Sequence, residues 1–161
     1  MKTRTMFGLV IIAALALCLS LSQPALAASD EEEIIQMSLN AAIAMKTADF
    51  ELMSSLWWHS DKTTAYFPDN PFLLEGGEAI LDLWQSTCSL PAGTHAPTFH
   101  NIQVTMLGDD VAISTFYANH VYTDPTSKEQ STMLLRATLV VQKISGKWLV
   151  VHQHTSKLPV E

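Results

Sequence analysis

The sequence has few cysteines and few basic residues. It contains two cysteines, and nine lysines and arginines stand against sixteen aspartates and glutamates, which gives a formal net charge of −7. Without a basic cluster, it lacks the electrostatic pattern of proteins that bind nucleic acid or anionic membranes. It also has no Gly-x-Ser-x-Gly motif, phosphate-binding loop or paired cysteines, so the sequence does not indicate a serine hydrolase, a nucleotide-binding protein or a thiol enzyme.

The first 27 residues have the pattern of a secretory signal peptide. Lys2 and Arg4 form a basic segment, residues 7–21 form an apolar segment, and residues 25–27 read Ala-Leu-Ala, a small-x-small cleavage site. The apolar segment is short for a membrane-spanning helix. We therefore predict cleavage after residue 27, one domain over residues 28–161, and a periplasmic or secreted protein with no lasting membrane anchor.

After this segment, the periodicity changes from helical to strand-like along the chain. Capping signals and apolar residues at helical spacing predict three helices, over 30–46, over 49–58, and after Gly76-Gly77 to near Cys88. Residues 89–97, which contain two prolines and a glycine, are predicted to form a loop. The predicted strands span 62–67, 72–74, 98–107, 111–123, 130–144 and 148–157. This order predicts an α+β fold with the helices packed on a curved, mainly antiparallel sheet of five to six strands.

Several short motifs follow one another in a recognisable order between residues 30 and 157. They are Leu74-Glu75-Gly76, Trp84, Asn101, Gly108-Asp109, Ala112, Arg136-x-Thr138, Gly146-Lys147-Trp148 and His152-x-His154-x-Ser156. In this order and spacing the chain resembles the SnoaL-like domains of the nuclear transport factor two superfamily, and it is also similar to the association domain of calcium/calmodulin-dependent protein kinase. The resemblance implies a cone-like fold with a mostly apolar pocket between sheet and helices. Superfamily members include isomerases, dehydratases, small-ligand binders and association domains, so the resemblance implies a fold more than a function.

The last predicted strand carries an unusual set of polar side chains. With regular alternation, Trp148, Val150, His152, His154 and Ser156 lie on one face. Two imidazoles on a face can orient a ligand, act as a general base, pack as hydrogen-bonded core residues, or bind a metal ion with a third ligand. We predict no metal and no other cofactor, because the fold would have to supply that third ligand. Its candidates are His59, Asp61, His100 and His120.

Arg136 is the only arginine after the predicted signal, and it lies between apolar residues of a strand. A buried guanidinium must be paired. It therefore either holds a ligand carboxylate or phosphate through two hydrogen bonds, with Thr138 on the same face, or forms an ion pair at the rim with Glu78 or Asp82. The first alternative favours an anionic ligand.

His100 and His120 each lie on an otherwise apolar strand face. Such a histidine is either a hydrogen-bonded core residue or one of the few polar groups in a ligand pocket. These assignments assume unbroken alternation, because a one-residue bulge would exchange the two faces of a strand.

We predict an exported protein that binds a small, anionic organic molecule in a pocket between the sheet and the helices. One alternative is an isomerase- or dehydratase-type enzyme with His154 or His120 as general base. The other is a non-catalytic association domain whose exposed sheet face forms a dimer. A homodimer is expected, and whether the protein is an enzyme stays open. The predicted ligand-binding residues are Tyr66, Trp84, His100, Phe116, His120, Arg136, Thr138, His152 and His154.

Overall fold

The computed structural model describes residues 28–159, so the predicted signal segment lies outside the described residues. The helices are α1 (Asp30–Thr47), α2 (Phe50–Ser55) and α3 (Gly77–Cys88). The strands are β1 (Thr64–Tyr66), β2 (Leu74–Glu75), β3 (His95–Met106), β4 (Val111–Thr123), β5 (Gln130–Ile144) and β6 (Lys147–Lys157). The predicted α+β class is confirmed.

The strands form one open sheet in the order β2-β1-β6-β5-β4-β3. Every neighbouring pair is antiparallel except β1 and β6, which run parallel. The helices pack on one face of this sheet, with α1 mainly against β3. We call the face toward the helices the inner face and the opposite one the outer face.

The start of α1 is anchored in two ways. Ser29 and Glu32 form a reciprocal capping box, which satisfies backbone donors at the helix terminus. Asp30 accepts hydrogen bonds from Lys143 Nζ at 2.5 Å and from Trp148 Nε1 at 3.0 Å. These two bonds hold the pKa of Asp30 below its usual value, Lys143 contributing most. The first turn of α1 is thereby joined to the hairpin of β5 and β6.

Helix α2 is shorter than predicted, ending at Ser55 rather than at residue 58. The chain after it pairs with β6 instead. The Val150 N–H donates to the Leu56 carbonyl at 2.9 Å, and the Trp58 N–H donates to the Val150 carbonyl at 3.0 Å. Apolar spacing alone did not reveal this pairing, because a buried segment of three residues fits either state.

Strand β3 begins at His95, within the predicted loop. Pro97 has no N–H and cannot donate a backbone hydrogen bond. It is tolerated in β3 because this strand lies at the edge of the sheet. The predicted loop of residues 89–97 therefore ends early, at residue 94.

Two irregularities decide which side chains share a face. In β3 the register shifts between His100 and Gln103, where Asn101 has a φ of 52°. In β6 the partner of Val140 is His152, but the partner of Val141 is Val150, so one extra residue is inserted. Each bulge exchanges inner and outer positions along its strand.

The bulge in β6 corrects the predicted face of the last strand. Trp148 and Val150 face inward and are buried. His152, His154 and Ser156 pair with the outward-facing Val140, Thr138 and Arg136. The predicted common face is therefore wrong, because alternation restarts after the extra residue.

Candidate functional site

A cavity of about 200 Å³ lies between the inner face of the sheet and the helices. Its walls are mostly apolar and come from all three helices and the four long strands. The apolar residues that line it include Met37, Met53, Trp84, Phe99, Phe116, Ala118, Leu135 and Ala137. Pockets that bind small organic molecules have this character, a largely apolar wall with a few placed polar groups.

Aromatic side chains shape two walls of the cavity. The ring of Trp84 lies 6.3 Å from that of Trp57 and 5.3 Å from that of Phe67, which it meets edge-on. On the sheet side, Phe99 and Phe116 stack with centroids 4.3 Å apart. The Nε1 of Trp84 is buried and has no hydrogen-bond partner among residues 28–159. A buried indole N–H without a partner costs free energy, so a ligand acceptor there would be stabilising.

The most polar part of the cavity wall is a pair of histidines. His95 Nδ1 and His120 Nε2 lie 3.0 Å apart, and the rings stack at 5.1 Å with an angle of 30°. At that distance one nitrogen donates its N–H and the other accepts it, because two N–H groups facing each other would repel. The pair therefore shares one proton along this contact.

Burial lowers the pKa of both histidines. For His120 the charge of His95 lowers it further, while the negative charge of Asp69 acts in the opposite direction. Both rings are consequently neutral near pH 7, and of their two nitrogens outside this contact one is unprotonated. A neutral imidazole in such a place can accept a hydrogen bond or a proton from a bound molecule.

Other polar side chains of the cavity already bond to each other. Gln153 Nε2 donates to Thr155 Oγ1 at 2.8 Å, and the hydroxyl oxygens of Ser38 and Ser114 lie 3.3 Å apart. Asp69, at the rim, forms an ion pair of 2.6 Å with Lys157. Among the described residues, those lining the cavity include no lysine or arginine.

The remaining predicted residues lie on the outer face. Arg136, Thr138 and His154 are cross-strand neighbours there, and His152 pairs with Thr64 of β1. The expectation that they line the pocket between sheet and helices is therefore wrong in position. The alternation of side chains along β5 places Arg136 and Thr138 on the outer face. The bulge of β6 places His152 and His154 on that same face.

Arg136 does not form the predicted rim ion pair. Its Nε donates to Ser156 Oγ at 3.0 Å. Within residues 28–159, the ion pairs are Lys143–Asp30 and Lys157–Asp69, so none involves this guanidinium. Arg136 is exposed, so its guanidinium needs no protein partner, and the first predicted alternative, an external anion, stays a prediction.

Two other predicted residues also lie outside the cavity. His100 is exposed opposite Tyr117, because the bulge in β3 separates it from the inward-facing Ile102 and Val104. Tyr66 is on the outer face, with its ring 5.6 Å from that of His154. The cavity thus contains Trp84, Phe116 and His120 of the predicted set, and whether any of the nine binds a ligand stays a prediction.

His95 is a cavity residue that the sequence analysis missed. The nearby prolines and glycine indicated a loop, which hid the strand that begins at this residue. A signal was present, since His95, Pro97 and Phe99 alternate at the strand period and all three line the cavity.

The described residues offer no ready metal centre. Between residues 28 and 159, no group of three or more histidine, cysteine, aspartate or glutamate side chains is arranged to hold a metal ion. His120 lies on the inner face and His154 on the outer face, so the sheet separates these two. In the same stretch, no helix is both long and apolar enough to cross a membrane.

Solved structures with this arrangement are numerous but distant in sequence. A candidate calcium/calmodulin-dependent protein kinase II association domain from Xanthomonas campestris is 19% identical, with a TM-score of 0.69 over 81% of this chain and 89% of that one. A candidate dehydratase of the NTF2-like family from Streptomyces avermitilis is 22% identical, with a TM-score of 0.68 over 80% and 96% of the two chains. An NTF2-like superfamily protein from Salmonella enterica is 19% identical, with a TM-score of 0.68 over 80% and 90%.

The sequence comparisons agree with this likeness of fold. No curated protein matches the sequence significantly. The profile of the SnoaL-like domain matches residues 34–161, which include the cavity and both bulges. The chain therefore belongs to the SnoaL-like domain family, and its fold is similar to that of NTF2-like proteins.

Proposed function

We propose that this protein is exported and binds a compact, largely apolar organic molecule in the cavity between sheet and helices. The observation that carries the proposal is a cavity of about 200 Å³ with apolar walls, an unpartnered Trp84 N–H and a neutral histidine pair. An apolar protein cavity of about 150 Å³ takes up benzene, so a single-ring molecule fits this volume. Export rests on the signal-like pattern of residues 1–27.

The charge expected of the ligand changes with the position of Arg136. An anionic ligand was predicted because Arg136 was expected in the pocket, and the guanidinium lies on the other side of the sheet. Among the described residues that line the cavity, the one acidic or basic side chain besides the histidines is Asp69, already paired with Lys157. A neutral molecule with one hydrogen-bonding group suits this lining better, because burying an unpaired carboxylate would be costly.

Phenol and toluene are suitable probes of this proposal. Binding to the purified protein is followed by the indole N–H resonances of Trp57 and Trp84 in nuclear magnetic resonance spectra, because both residues line the cavity and Trp57 remains as reporter when Trp84 is replaced. We expect saturable shifts with both probes and tighter binding of phenol, by roughly 3- to 10-fold, if its oxygen accepts from Trp84. The Trp84→Phe variant should remove this preference while still binding toluene.

A pair of variants at adjacent positions tests where the probes bind. Ala137 faces the cavity and Thr138 faces outward on the same strand. Ala137→Phe should fill the cavity and abolish binding, whereas Thr138→Phe should leave it unchanged. Absence of saturable binding to the wild-type protein, or equal loss in both variants, would contradict the proposal.

An isomerase- or dehydratase-type enzyme is the second candidate function. The 3.0 Å contact of His95 and His120 favours it, since a neutral imidazole with a lowered pKa can remove a proton from a carbon acid. His120 is the better of the two predicted bases because it lines the cavity, whereas His154 does not. The structural similarity to a candidate dehydratase is compatible with this reaction class.

Hydrogen–deuterium exchange of cyclohexanone in D₂O tests this candidate. Enolisation by an enzyme base would accelerate exchange above the buffer rate. His120→Asn should reduce the enzymatic rate by roughly 10²- to 10⁴-fold, and the matched His154→Asn variant should not change it. Exchange at the buffer rate, or equal loss in both variants, would count against an enzymatic base in the cavity.

We also propose that the chain forms a homodimer. The support is its similarity in fold to a candidate association domain and the exposure of large apolar side chains such as Phe72, which is 76% exposed. Exposed apolar surface of this kind is typical of protein interfaces when it is contiguous. Sedimentation equilibrium of the purified protein is expected to give twice the chain mass, and a monomer would contradict the proposal.

A further inference from the structure

The outer face carries a second cluster of polar side chains, separated from the cavity by the sheet. Cross-strand pairing aligns Tyr117 with Arg136 and Ser156, and aligns Thr115 with Thr138 and His154. These residues line a groove on the outer face, together with residues of β3. Arg136 and His154 are diagonal neighbours, about 7–8 Å apart at Cα and within reach of their long side chains.

The guanidinium of Arg136 is oriented but not neutralised. The single bond from its Nε to Ser156 Oγ, at 3.0 Å, holds one side of the group. Its two amino groups have no carboxylate partner among the described residues, whose ion pairs lie elsewhere. A fixed guanidinium with free paired donors has the geometry that binds a carboxylate or phosphate in a bidentate way.

The surroundings of Arg136 are unusual for this protein. Sixteen aspartates and glutamates give the chain a net charge of −7. Yet the groove residues in the described part of the chain include no aspartate or glutamate. An anion entering the groove would therefore meet one positive group, hydroxyls and an imidazole, with no carboxylate to repel it.

The two outer histidines complete the cluster. His152 Nδ1 and Thr64 Oγ1 lie 2.7 Å apart, and the ring of Tyr66 lies 5.6 Å from that of His154. Burial lowers the pKa of His152, and the charge of His154 lowers it further. A bound anion would oppose that repulsion and favour the protonated form of His152. The bulge of β6 is what brings His154 and Ser156 to this face, and bulges often redirect side chains at functional sites.

We propose that the outer groove is an oxyanion-binding site, in which Arg136 holds the carboxylate or phosphate group of a small molecule and His154 adds a second polar contact. It is independent of the cavity, so either site can exist without the other. Sodium benzoate and sodium phosphate are the two probes, and sodium chloride at matched ionic strength is the control.

Histidine Cε1–H resonances of the purified protein report binding at each face. We expect a saturable shift of the His154 resonance with at least one probe and no shift of the His120 resonance. Arg136→Gln should weaken this binding at least 10-fold, and Arg136→Lys should retain part of it, because lysine keeps the charge but not the paired donors. Lys147→Gln, which removes one exposed positive charge at the start of β6, should leave binding unchanged.

Three outcomes would overturn the proposal. The first is that neither probe shifts the His154 resonance. The second is that sodium chloride at matched ionic strength shifts it equally, and the third is that Arg136→Gln leaves the shift unchanged. A change in sedimentation mass on Arg136→Gln without any probe binding would also overturn it, since the face would then serve a second copy of the chain. If benzoate alone binds, the ligand class is an organic carboxylate, and if phosphate alone binds, it is a phosphate, both within the proposal.

Discussion

The two faces of strand β5 give side chains one residue apart opposite environments. Leu135 is 7% exposed against the cavity, whereas its neighbour Leu134 is 39% exposed on the outer face. The inner face leaves a mostly apolar space in which, among the described residues, Asp69 is the one acidic residue, while the outer face presents an arginine to solvent with no neutralising partner among those residues. Residue type therefore says little about a site until it is known which residues of the strand face inward.

Histidines on the two faces differ in the same way. His120, on the inner face, is 8% exposed and bonds to a second histidine. His152, on the outer face, is partly exposed and contacts the Thr64 hydroxyl. A lowered pKa is common to both, but only the inner pair is enclosed with an apolar cavity. The same residue type therefore serves different chemistry on each side of one sheet.

Removing the bulge residue of β6 should have the largest effect on this difference between faces. Deletion of Val151 forces either Trp148 and Val150 outward or His154 and Ser156 inward, which exposes core or buries polar groups. We expect a loss of about 4 kcal/mol or more in the free energy of unfolding, measured by urea titration. Val151→Ala keeps the residue count and should cost about 1 kcal/mol or less. Equal stability of the deletion and the point variant would show that the face assigned to each side chain of β6 does not control the stability of the fold.

Truncating adjacent leucines compares the faces directly. Leu135→Ala should lower the free energy of unfolding by about 2–4 kcal/mol, because it removes buried methyl groups and enlarges a cavity. Leu134→Ala, one residue earlier, should change it by about 0.5 kcal/mol or less because the side chain is partly in solvent. The measurement is urea unfolding at neutral pH, and similar losses for both variants would contradict the assigned faces.

The pH dependence of stability should differ between the inner and the outer histidines. A histidine whose pKa is lowered on folding takes up fewer protons than in the unfolded chain, so stability falls as the pH drops below the ordinary value of 6.5. His120→Asn should reduce this slope more than His152→Asn, since His120 is the more buried ring. Each histidine can contribute at most about 1.4 kcal/mol per pH unit. Urea unfolding at several pH values between 5 and 7.5 measures the slopes, and a steeper slope in His120→Asn would refute the assignment.

The smallest stability effect is expected at Arg136. Its exposed hydrogen bond to Ser156 contributes little, so Arg136→Gln should change the free energy of unfolding by about 0.5 kcal/mol or less. A thermal or urea unfolding curve close to that of the wild type would separate ligand binding from stability at this residue. A loss above about 1.5 kcal/mol would mean that the guanidinium stabilises the fold itself.

Much of the architecture could be predicted from local patterns. The capping box at Ser29 and Glu32 marked the start of α1, and the turns at Gly108 and Ser145 separated long alternating strands. Such signals depend on residues that are close in sequence, so long-range contacts in the folded protein do not change them. Helix α2 and the start of β3 were less predictable, because Leu56 pairs with a strand far along the chain and Pro97 is tolerated by an edge.

The candidate sites were predictable only in part. Trp84, Phe116 and His120 were expected in the pocket and line it. Arg136 and His154 were both expected in the ligand pocket, and they lie together in one groove, but on the opposite face of the sheet. His95 was not considered because its proline- and glycine-rich surroundings resemble a loop. The bulge of β6 explains the misplaced His152 and His154, a boundary set by local composition explains the missed His95, and Arg136 and Thr138 were assigned to the wrong face of a regular strand.

The sequence by itself determined the α+β class, the order of the elements and which residues could carry chemistry, since capping, turn formation and alternation are local properties. Only the tertiary structure decided which of these residues meet. The bulges at Asn101 and near Val151 depend on pairing between strands, and the second one places His154 in the polar outer groove, whereas His95 and His120 line the apolar cavity. A strand repeats every two residues, so one inserted residue moves each later side chain to the other face of the sheet.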